Sequence, residues 1–349
     1  MIDIVLGAFF GDEGKGQCVN NLCNEDSIVV RFSGANQVGH NVVHDGIQHC
    51  FRNFGSGTLK GVPTYWSDYC VCDLHTLLIE MTELHKLGIT PKIIFSPSCE
   101  LVTPFDVIHQ WNNVDNRKHG TVGTGFKSTL DRVKDGYHVT MLDATNLLVL
   151  REKVHNIGRY YYKLVSNVPT TNLDDWITAV NKIANAFPIE PIHCLNRFEN
   201  LVFEGSQGIL LDQINGVMPF CTPSYTTSKN AFEILNTIRR TQIPTVHYVC
   251  RPYITRHGNG PLLTTTPILN VEDKNNQWND FQKGIRACKF DLDLLKHSLK
   301  IDYQYSSEAA HEIVFSHGEQ VPDDLYIKLR FDSDLANYEI REFEYEKWL

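Results

Sequence analysis

The chain has 349 residues, 42% hydrophobic and 21% charged, the values of an ordinary globular protein long enough to bury a sizeable core. A formal charge of −9 excludes a basic nucleic-acid-binding face as the main device, while leaving room for small phosphorylated ligands. No apolar run nears the length of a bilayer span, and the ten scattered cysteines suit neither a zinc pattern nor a disulfide framework, so reduced, mostly buried thiols are expected.

Met1 leads straight into the apolar run Ile2–Phe10 without a basic leader, so a cytoplasmic protein is expected. Ile2–Phe10 and Ile28–Phe32 have the short, β-rich, turn-bounded pattern of buried strands, and Gly14–Cys23 between them has helical spacing. Strand, glycine loop, helix, strand is the opening of an α/β sheet. Asp73–Leu87 is expected to be a helix closed by Gly88, and Lys92–Phe95 a further strand. Leu147–Ala186 has a mostly helical pattern. Leu201–Gly205 and Thr245–Val249 predict strands, Thr255–Pro261 a glycine-rich turn, and Asp291–Ile301 a short amphipathic helix. With no repeat, linker or shift in composition, the expectation is one α/β domain over residues 1–349: a large central, mostly parallel sheet flanked by helices, with inserted helical segments.

The stretch Gly11-Asp12-Glu13-Gly14-Lys15-Gly16-Gln17 directly follows the first predicted strand. Glycines and one lysine there form a loop whose backbone N–H groups can turn toward a polyanion. It is not the common P-loop: Phe9 stands at the place of the first Gly, and Gly16 follows Lys15 where a hydroxyl is needed. A carboxylate in such a cradle repels phosphate unless a metal or a substrate proton lies between them, which gives Asp12 a role beyond solvation. Gly34–Asn41 follows the second strand and carries His40, placed to donate a hydrogen bond to a transferring phosphoryl group. Gly120–Gly125 offers hydroxyls and N–H groups for a nucleoside monophosphate. Glu204–Gly208 offers Gln207, whose amide both donates and accepts, as a purine edge requires.

Together these residues resemble the adenylosuccinate synthetase family. The resemblance rests on Gly11–Gly16 and Gly39-His40. It is supported by Gly120-Thr121, Phe203–Gly208 with Leu210–Asp212, and Pro219–Thr222, and it continues through Thr255-Arg256, Gly258, Gly260-Pro261 and Lys283–Asp291. It implies a two-step ligation, in which a nucleoside triphosphate phosphorylates O6 of a purine monophosphate and the amino group of L-aspartate then displaces phosphate at C6. Asp12, His40 and Gln207 would be the catalytic residues, with Asp12 taking the N1 proton. Asp12 and the Gly39 carbonyl would hold Mg²⁺. The triphosphate, GTP or ATP, would lie on Gly11, Glu13, Gly14, Lys15, Gly16, Gln17, Asn41, Arg286 and Glu319. The purine monophosphate would lie on Gln37, Val38, Thr121, Thr124, Arg132, Gln207, Leu211, Thr222 and Arg256, and aspartate on Asn279, Lys283 and Arg286. The family also implies a homodimer, with Arg132 the nearest candidate for the arginine that crosses between subunits.

Departures from the family pattern cluster at the nucleotide pockets. Gln37 stands for Asn, Val122 for Thr, and Pro223–Asn230 for a small, glycine-rich run. The aspartate loop reads Asn279–Arg286, and Ser316–Glu319 fills the region of the guanine-reading residues. Such changes suit an altered acceptor, and the short chain is like the archaeal members and the bacteriophage diaminopurine branch. The favoured acceptor is therefore (d)GMP, giving N6-succino-2-amino-2'-deoxyadenylate in host cytoplasm, although many members of that branch have Ser where Asp12 stands. The alternatives are IMP as acceptor, an NTP-hydrolysing module without ligation, and an interaction protein on the same scaffold.

Overall fold

The computed structural model describes residues 1–112, 123–164, 172–264, 268–269, 284–316, 335 and 338–343. In chain order the strands are β1 (Ile2–Gly7), β2 (Ser27–Arg31), β3 (His40–His44), β4 (Ile47–Phe51), β5 (Thr64–Trp66), β6 (Val71–Cys72), β7 (Ile93–Phe95) and β8 (Glu100–Leu101). They continue with β9 (Asn200–Gly208), β10 (Thr245–Cys250), β11 (Tyr253–His257), β12 (Ile268–Leu269), β13 (Ile285–Lys289), β14 (Ala310–Ser316) and β15 (Tyr338–Phe343). The helices are α1 (Lys15–Leu22), α2 (Leu74–Lys86), α3 (Pro104–Asn112), α4 (Phe126–Lys134), α5 (Met141–Ala144), α6 (Leu147–Tyr162), α7 (Leu173–Ala184), α8 (Lys229–Thr237) and α9 (Leu292–Ser306).

Eight strands form one sheet in the order β15-β14-β10-β1-β9-β2-β5-β7, and all its pairings are parallel. Parallel strands covered on both faces need apolar residues at successive positions, which β1 supplies. Ile4 and Leu6 face one cluster with Phe203, Ile234, Leu295 and Leu299. Val5 faces the other way, against Cys18 and Val19 of α1. Each such side chain stabilises the fold by about 1.5–3 kcal/mol relative to exposure. A second core joins Leu77, Leu84, Phe95, Leu150, Val154, Ile177 and Val180, so α2, α6 and α7 cover the β7 end. The consequence for function is positional: β1, β2 and β9 are neighbours, so the loops that leave their carboxyl ends share one crevice, where open α/β sheets collect ligands.

The expected elements are present, with four changes of boundary, one being that β9, expected to end at Gly205, runs through Ser206 and Gln207 to Gly208. β1 ends at Gly7 rather than Phe10, because the N–H groups of Phe9 and Gly11 bond to the Glu13 carboxylate instead of a neighbouring strand. Thr255–His257, expected in a turn, lies in β11, which pairs antiparallel with β13; the turn begins only at Gly258. The helix expected to end at Ile301 runs to Ser306. All ten cysteines are free thiols, buried except for the half-buried Cys50 and Cys221. Among the described residues no helix is long and apolar enough to cross a membrane.

Candidate active site

The loop after β1 turns through three left-handed residues, Gly11 (φ 101°), Asp12 (φ 62°) and Gly14 (φ 100°). Glycine accepts this at no steric cost; Asp12 does not, and a non-glycine residue held there marks a constrained site. Glu13 folds inward and is nearly inaccessible. Its Oε1 accepts from the N–H of Phe9 at 3.0 Å and of Gly11 at 2.8 Å, and its Oε2 lies 3.2 Å from Lys15 Nζ. The carboxylate thus occupies the N–H groups of Phe9 and Gly11 and braces the loop, so any nucleotide contact of Glu13 falls to its backbone. The Gln17 side chain is likewise engaged: its carboxamide accepts from Val43 N–H at 3.0 Å and donates to Val43 carbonyl at 3.3 Å, tying α1 to β3. The missing P-loop hydroxyl has a packing reason, since a Cβ at Gly16 would stand 2.8 Å from His40 Cβ and 3.0 Å from Ser56 Oγ.

His40 opens β3, and its Nδ1 lies 2.6 Å from Oε1 of Glu204 on β9. Ser56 completes the carboxylate's shell, donating its hydroxyl to Oε1 and its N–H to Oε2 at 3.1 Å. Arg31 is the register partner of Glu204 on β2 and is fully buried over the Trp66 ring. Burial opposes the Glu204 anion, but His40, Arg31 and Ser56 together outweigh it and bring the carboxyl down to about 2. Burial also pushes the His40 imidazolium down against the pull of Glu204. Glu204 is therefore the fixed charge and His40 the group that responds. The bond from Nδ1 leaves Nε2 as the working nitrogen, and that atom is buried without a hydrogen-bond partner among the described residues.

Other unsatisfied atoms mark the same crevice. Gln207 sits at φ 55° with its Oε1 buried and unpartnered, and both polar atoms of Gln37 are in the same state. A buried polar atom without a partner costs about 1–3 kcal/mol, so these carboxamides have capacity for a ligand or an ordered water. Val38 is buried, Asn41 is half-buried, and Gly39 is exposed. Ser33 and Ser206 join at 2.8 Å and Gly34 N–H donates to Ser224 Oγ at 3.2 Å, which ties the loop after β2 to the end of β9 and to the 212–226 segment. That segment is shaped by Asp212, whose carboxylate takes the N–H groups of Ile214, Asn215 and Thr226. Thr222 is placed by its N–H bond to the carbonyl of the half-buried Leu211 at 2.8 Å.

Two arginines expected at the purine monophosphate are buried and bonded to carbonyl or carboxylate groups of the chain itself. Arg132 is wholly buried: its Nε lies 2.8 Å from Asp106 and its other nitrogens donate to the Leu101 and Tyr137 carbonyls, so it cannot cross to another subunit. Arg256 is also buried, over the Phe10 ring, and donates to the Pro261 and Phe220 carbonyls; burial, helped by nearby Arg286, pushes it down to about 10. Arg286 donates to the Gly258 and Gly260 carbonyls but keeps partial access, in a cleft of about 270 Å³ lined also by Asn259, Gly284 and Ile285. Thr124 is half-buried at the start of α4. Thr121, Asn279, Lys283 and Glu319 lie outside the described residues.

Asp12 keeps its carboxylate partly exposed, with Oδ2 3.0 Å from His257 Nε2. Burial raises its pKa, yet the His257 bond and charge, with Arg251 and Lys15, prevail and hold it below the usual carboxylate range. An ionised, partly exposed carboxylate in an anion cradle fits Mg²⁺, which takes one or two protein carboxylates and completes its shell with water and phosphate. Glu204, Ser56, Arg31 and His257 were given no role from sequence. His257 adjoins the quoted Thr255-Arg256 pair and Glu204 opens the quoted Gln207 motif, so a signal existed for both. For Arg31 and Ser56 none did, since strand register and the close approach of a distant loop bring them in.

Comparison with known proteins places these features in context. Residues 4–308 match the family model described as adenylosuccinate synthetase. The adenylosuccinate synthetase of Neisseria gonorrhoeae is 28% identical over 322 residues, covering 86% of this chain and 74% of the relative. Among solved structures, fully ligated adenylosuccinate synthetase from Plasmodium falciparum superposes with a TM-score of 0.73 at 17% identity, covering 90% of this chain and 76% of that one. Cyanophage S-2L succinoaminodeoxyadenylate synthetase, bound to dGMP and dATP as an energy donor, gives a TM-score of 0.67 at 15% identity, covering 97% of this chain and 91% of that one.

Proposed function

The chain belongs to the adenylosuccinate synthetase family and is a C–N bond-forming ligase of that type, and from this premise we propose that it joins L-aspartate to C6 of (d)GMP. The observation that carries the site reading is the pairing of an ionised Asp12 in the anion cradle with a His40 whose Nε2 is buried and unpartnered. Asp12 accepts the N1 proton, which makes O6 of the purine nucleophilic. O6 then attacks the γ-phosphorus of GTP or ATP, and the nucleoside diphosphate leaves. His40, held through Nδ1–H by Glu204, takes up a second proton on Nε2 as the polyphosphate enters, and as imidazolium donates from Nε2 to the γ-phosphoryl oxygens as charge develops there. Lys15 exchanges Glu13 for phosphate, and the loop N–H groups complete the cradle. Asp12 and the Gly39 carbonyl would hold Mg²⁺, which would supply charge neutralisation at the phosphates. The carboxamide of Gln207 faces the purine edge, Gln37, Val38 and Thr222 hold the monophosphate, and Arg286 reaches the aspartate carboxylates. The amino group of aspartate then adds at C6 and phosphate departs.

What supports guanine over hypoxanthine is the altered nucleotide loops and the extent of likeness to the cyanophage enzyme, which spans nearly all of both chains. Guanine presents the same O6, C6 and N1–H as hypoxanthine, so the pocket need only admit a 2-amino group. The test is a competition between dGMP and IMP with Mg²⁺, L-aspartate and GTP or ATP. Succinylated dGMP in excess is expected, and IMP as the preferred acceptor reverses the substrate reading. Succinylated product from neither purine overturns the ligation itself, and phosphate release indifferent to aspartate identifies an NTP-hydrolysing module.

A further inference from the structure

His257 has no part in the ligation described above, yet its Nε2 lies 3.0 Å from Oδ2 of Asp12, with side chains 17% and 26% exposed. Asp12 thus keeps partial access to the crevice, while His257 Nε2 itself is buried behind it. Neither can swing far: Asp12 is held at φ 62° in the braced loop, and His257 is the last residue of β11, fixed by pairing with Ile285. Of the other cations near Asp12, Arg251 donates to the Tyr253 hydroxyl at 3.0 Å and Lys15 donates to Glu13 at 3.2 Å. Two ligands placed cis on one six-coordinate ion, each about 2.1 Å from the metal, stand about 3.0 Å apart. The spacing of Asp12 and His257 is that of a ready-made ligand pair.

We propose that His257 Nε2 and Asp12 Oδ2 bind the same divalent cation, and that this nitrogen ligand turns the site's preference from Mg²⁺ toward Mn²⁺ or Co²⁺. Mg²⁺ selects oxygen donors, whereas imidazole nitrogen suits the later divalent ions. No group of three or more His, Cys, Asp or Glu side chains gathers among the described residues, so the remaining positions belong to a backbone carbonyl and substrate phosphates. The inference rests on the reading of Asp12 as the metal-binding carboxylate.

The experiment is electron spin-echo spectroscopy of Mn²⁺ on the full chain with a non-hydrolysable nucleoside triphosphate, comparing ordinary protein with protein carrying ¹⁵N-histidine. The expected result is a ¹⁴N modulation replaced by the ¹⁵N pattern on labelling and lost in His257→Ala, with Mn²⁺ affinity reduced about tenfold or more and Mg²⁺ affinity little changed. Labelling needs no variant, so poor folding of His257→Ala leaves the outcome decidable. Protein-bound Mn²⁺ without histidine modulation, but weakened by Asp12→Asn, overturns the His257 ligand and leaves the proposed site standing. Mn²⁺ binding indifferent to Asp12→Asn, or no protein-bound Mn²⁺, overturns both.

Discussion

Glu204 Oε1 and His40 Nδ1 meet at 2.6 Å although 164 positions separate them in the chain. The carboxylate is wholly buried in β9, and the imidazole begins β3. Glu204 thus fixes which histidine nitrogen is left to face a phosphoryl group.

Glu204→Gln keeps the size and one acceptor but removes the charge that holds the tautomer. Its kcat is expected to fall about 10²-fold with substrate KM values little changed, the loss typical of one transition-state donor. Aspartate-dependent phosphate release measures it. A rate within a few-fold of wild type would remove Glu204 from the mechanism.

Asp12→Asn preserves shape while removing the proton acceptor and anionic ligand. Turnover is expected to fall by about 10³-fold or more, while nucleotide still protects in a thermal-shift assay, because Lys15 and the loop N–H groups remain. Near-normal product formation excludes the role assigned to Asp12.

Gly16→Ala tests the packing of α1 against β3. The added Cβ would meet His40 Cβ at 2.8 Å, Ser56 Oγ at 3.0 Å and the Asn41 carbonyl at 3.3 Å. Gly16 does not have the positive φ of its neighbours Gly11 and Gly14, so the effect isolates contact rather than strain. Overpacking is expected to cost about 1–3 kcal/mol in urea denaturation and to lower kcat by moving His40. Unchanged stability and rate would show that His40 and Ser56 give way freely.

The framework was legible because the interior strands carry apolar residues without interruption, so β1, β2 and β9 and the loops after them stood out. Asp12, His40 and Gln207 were legible as polar residues among glycines at strand ends. The functions of individual side chains were less so. Glu13 and Gln17 sit inside a phosphate-loop pattern, but their carboxylate and carboxamide are consumed by backbone groups a few residues or one strand away. Arg256 lies in an expected turn that is a strand, which turns its guanidinium into carbonyl groups of the following segment.

A pH effect on stability is expected from His247, which lies 2.8 Å from Asp3 and 2.9 Å from Glu312 across adjacent strands. Burial lowers its pKa, but the two carboxylates prevail and raise it. A histidine raised on folding contributes stability fully present below its ordinary value near 6.5 and lost as pH rises through the folded value. The urea midpoint is therefore expected to fall as pH rises above about 6.5, and His247→Gln to lose that slope. An identical slope in the variant assigns the dependence to other groups.

Arg132→Met separates the structural role found for this residue from the nucleotide contact its sequence position suggested. Asp106, which faces Arg132 Nε at 2.8 Å, also accepts from Thr103 N–H, the Thr103 hydroxyl and the Tyr161 hydroxyl, so α3, α4 and α6 converge on one buried carboxylate. Removing the guanidinium leaves that charge uncompensated, a loss of about 3–5 kcal/mol for a broken buried pair. Replacing the pair together, Arg132→Met with Asp106→Asn, is expected to return part of this stability, because the carboxylate that then loses the guanidinium is Glu100 alone, which His138 still faces. The folded fraction of either variant is expected to keep its purine-monophosphate KM within about twofold, since a buried guanidinium makes no uniform-binding contact to lose. A KM raised tenfold or more without loss of stability restores Arg132 to the nucleotide site.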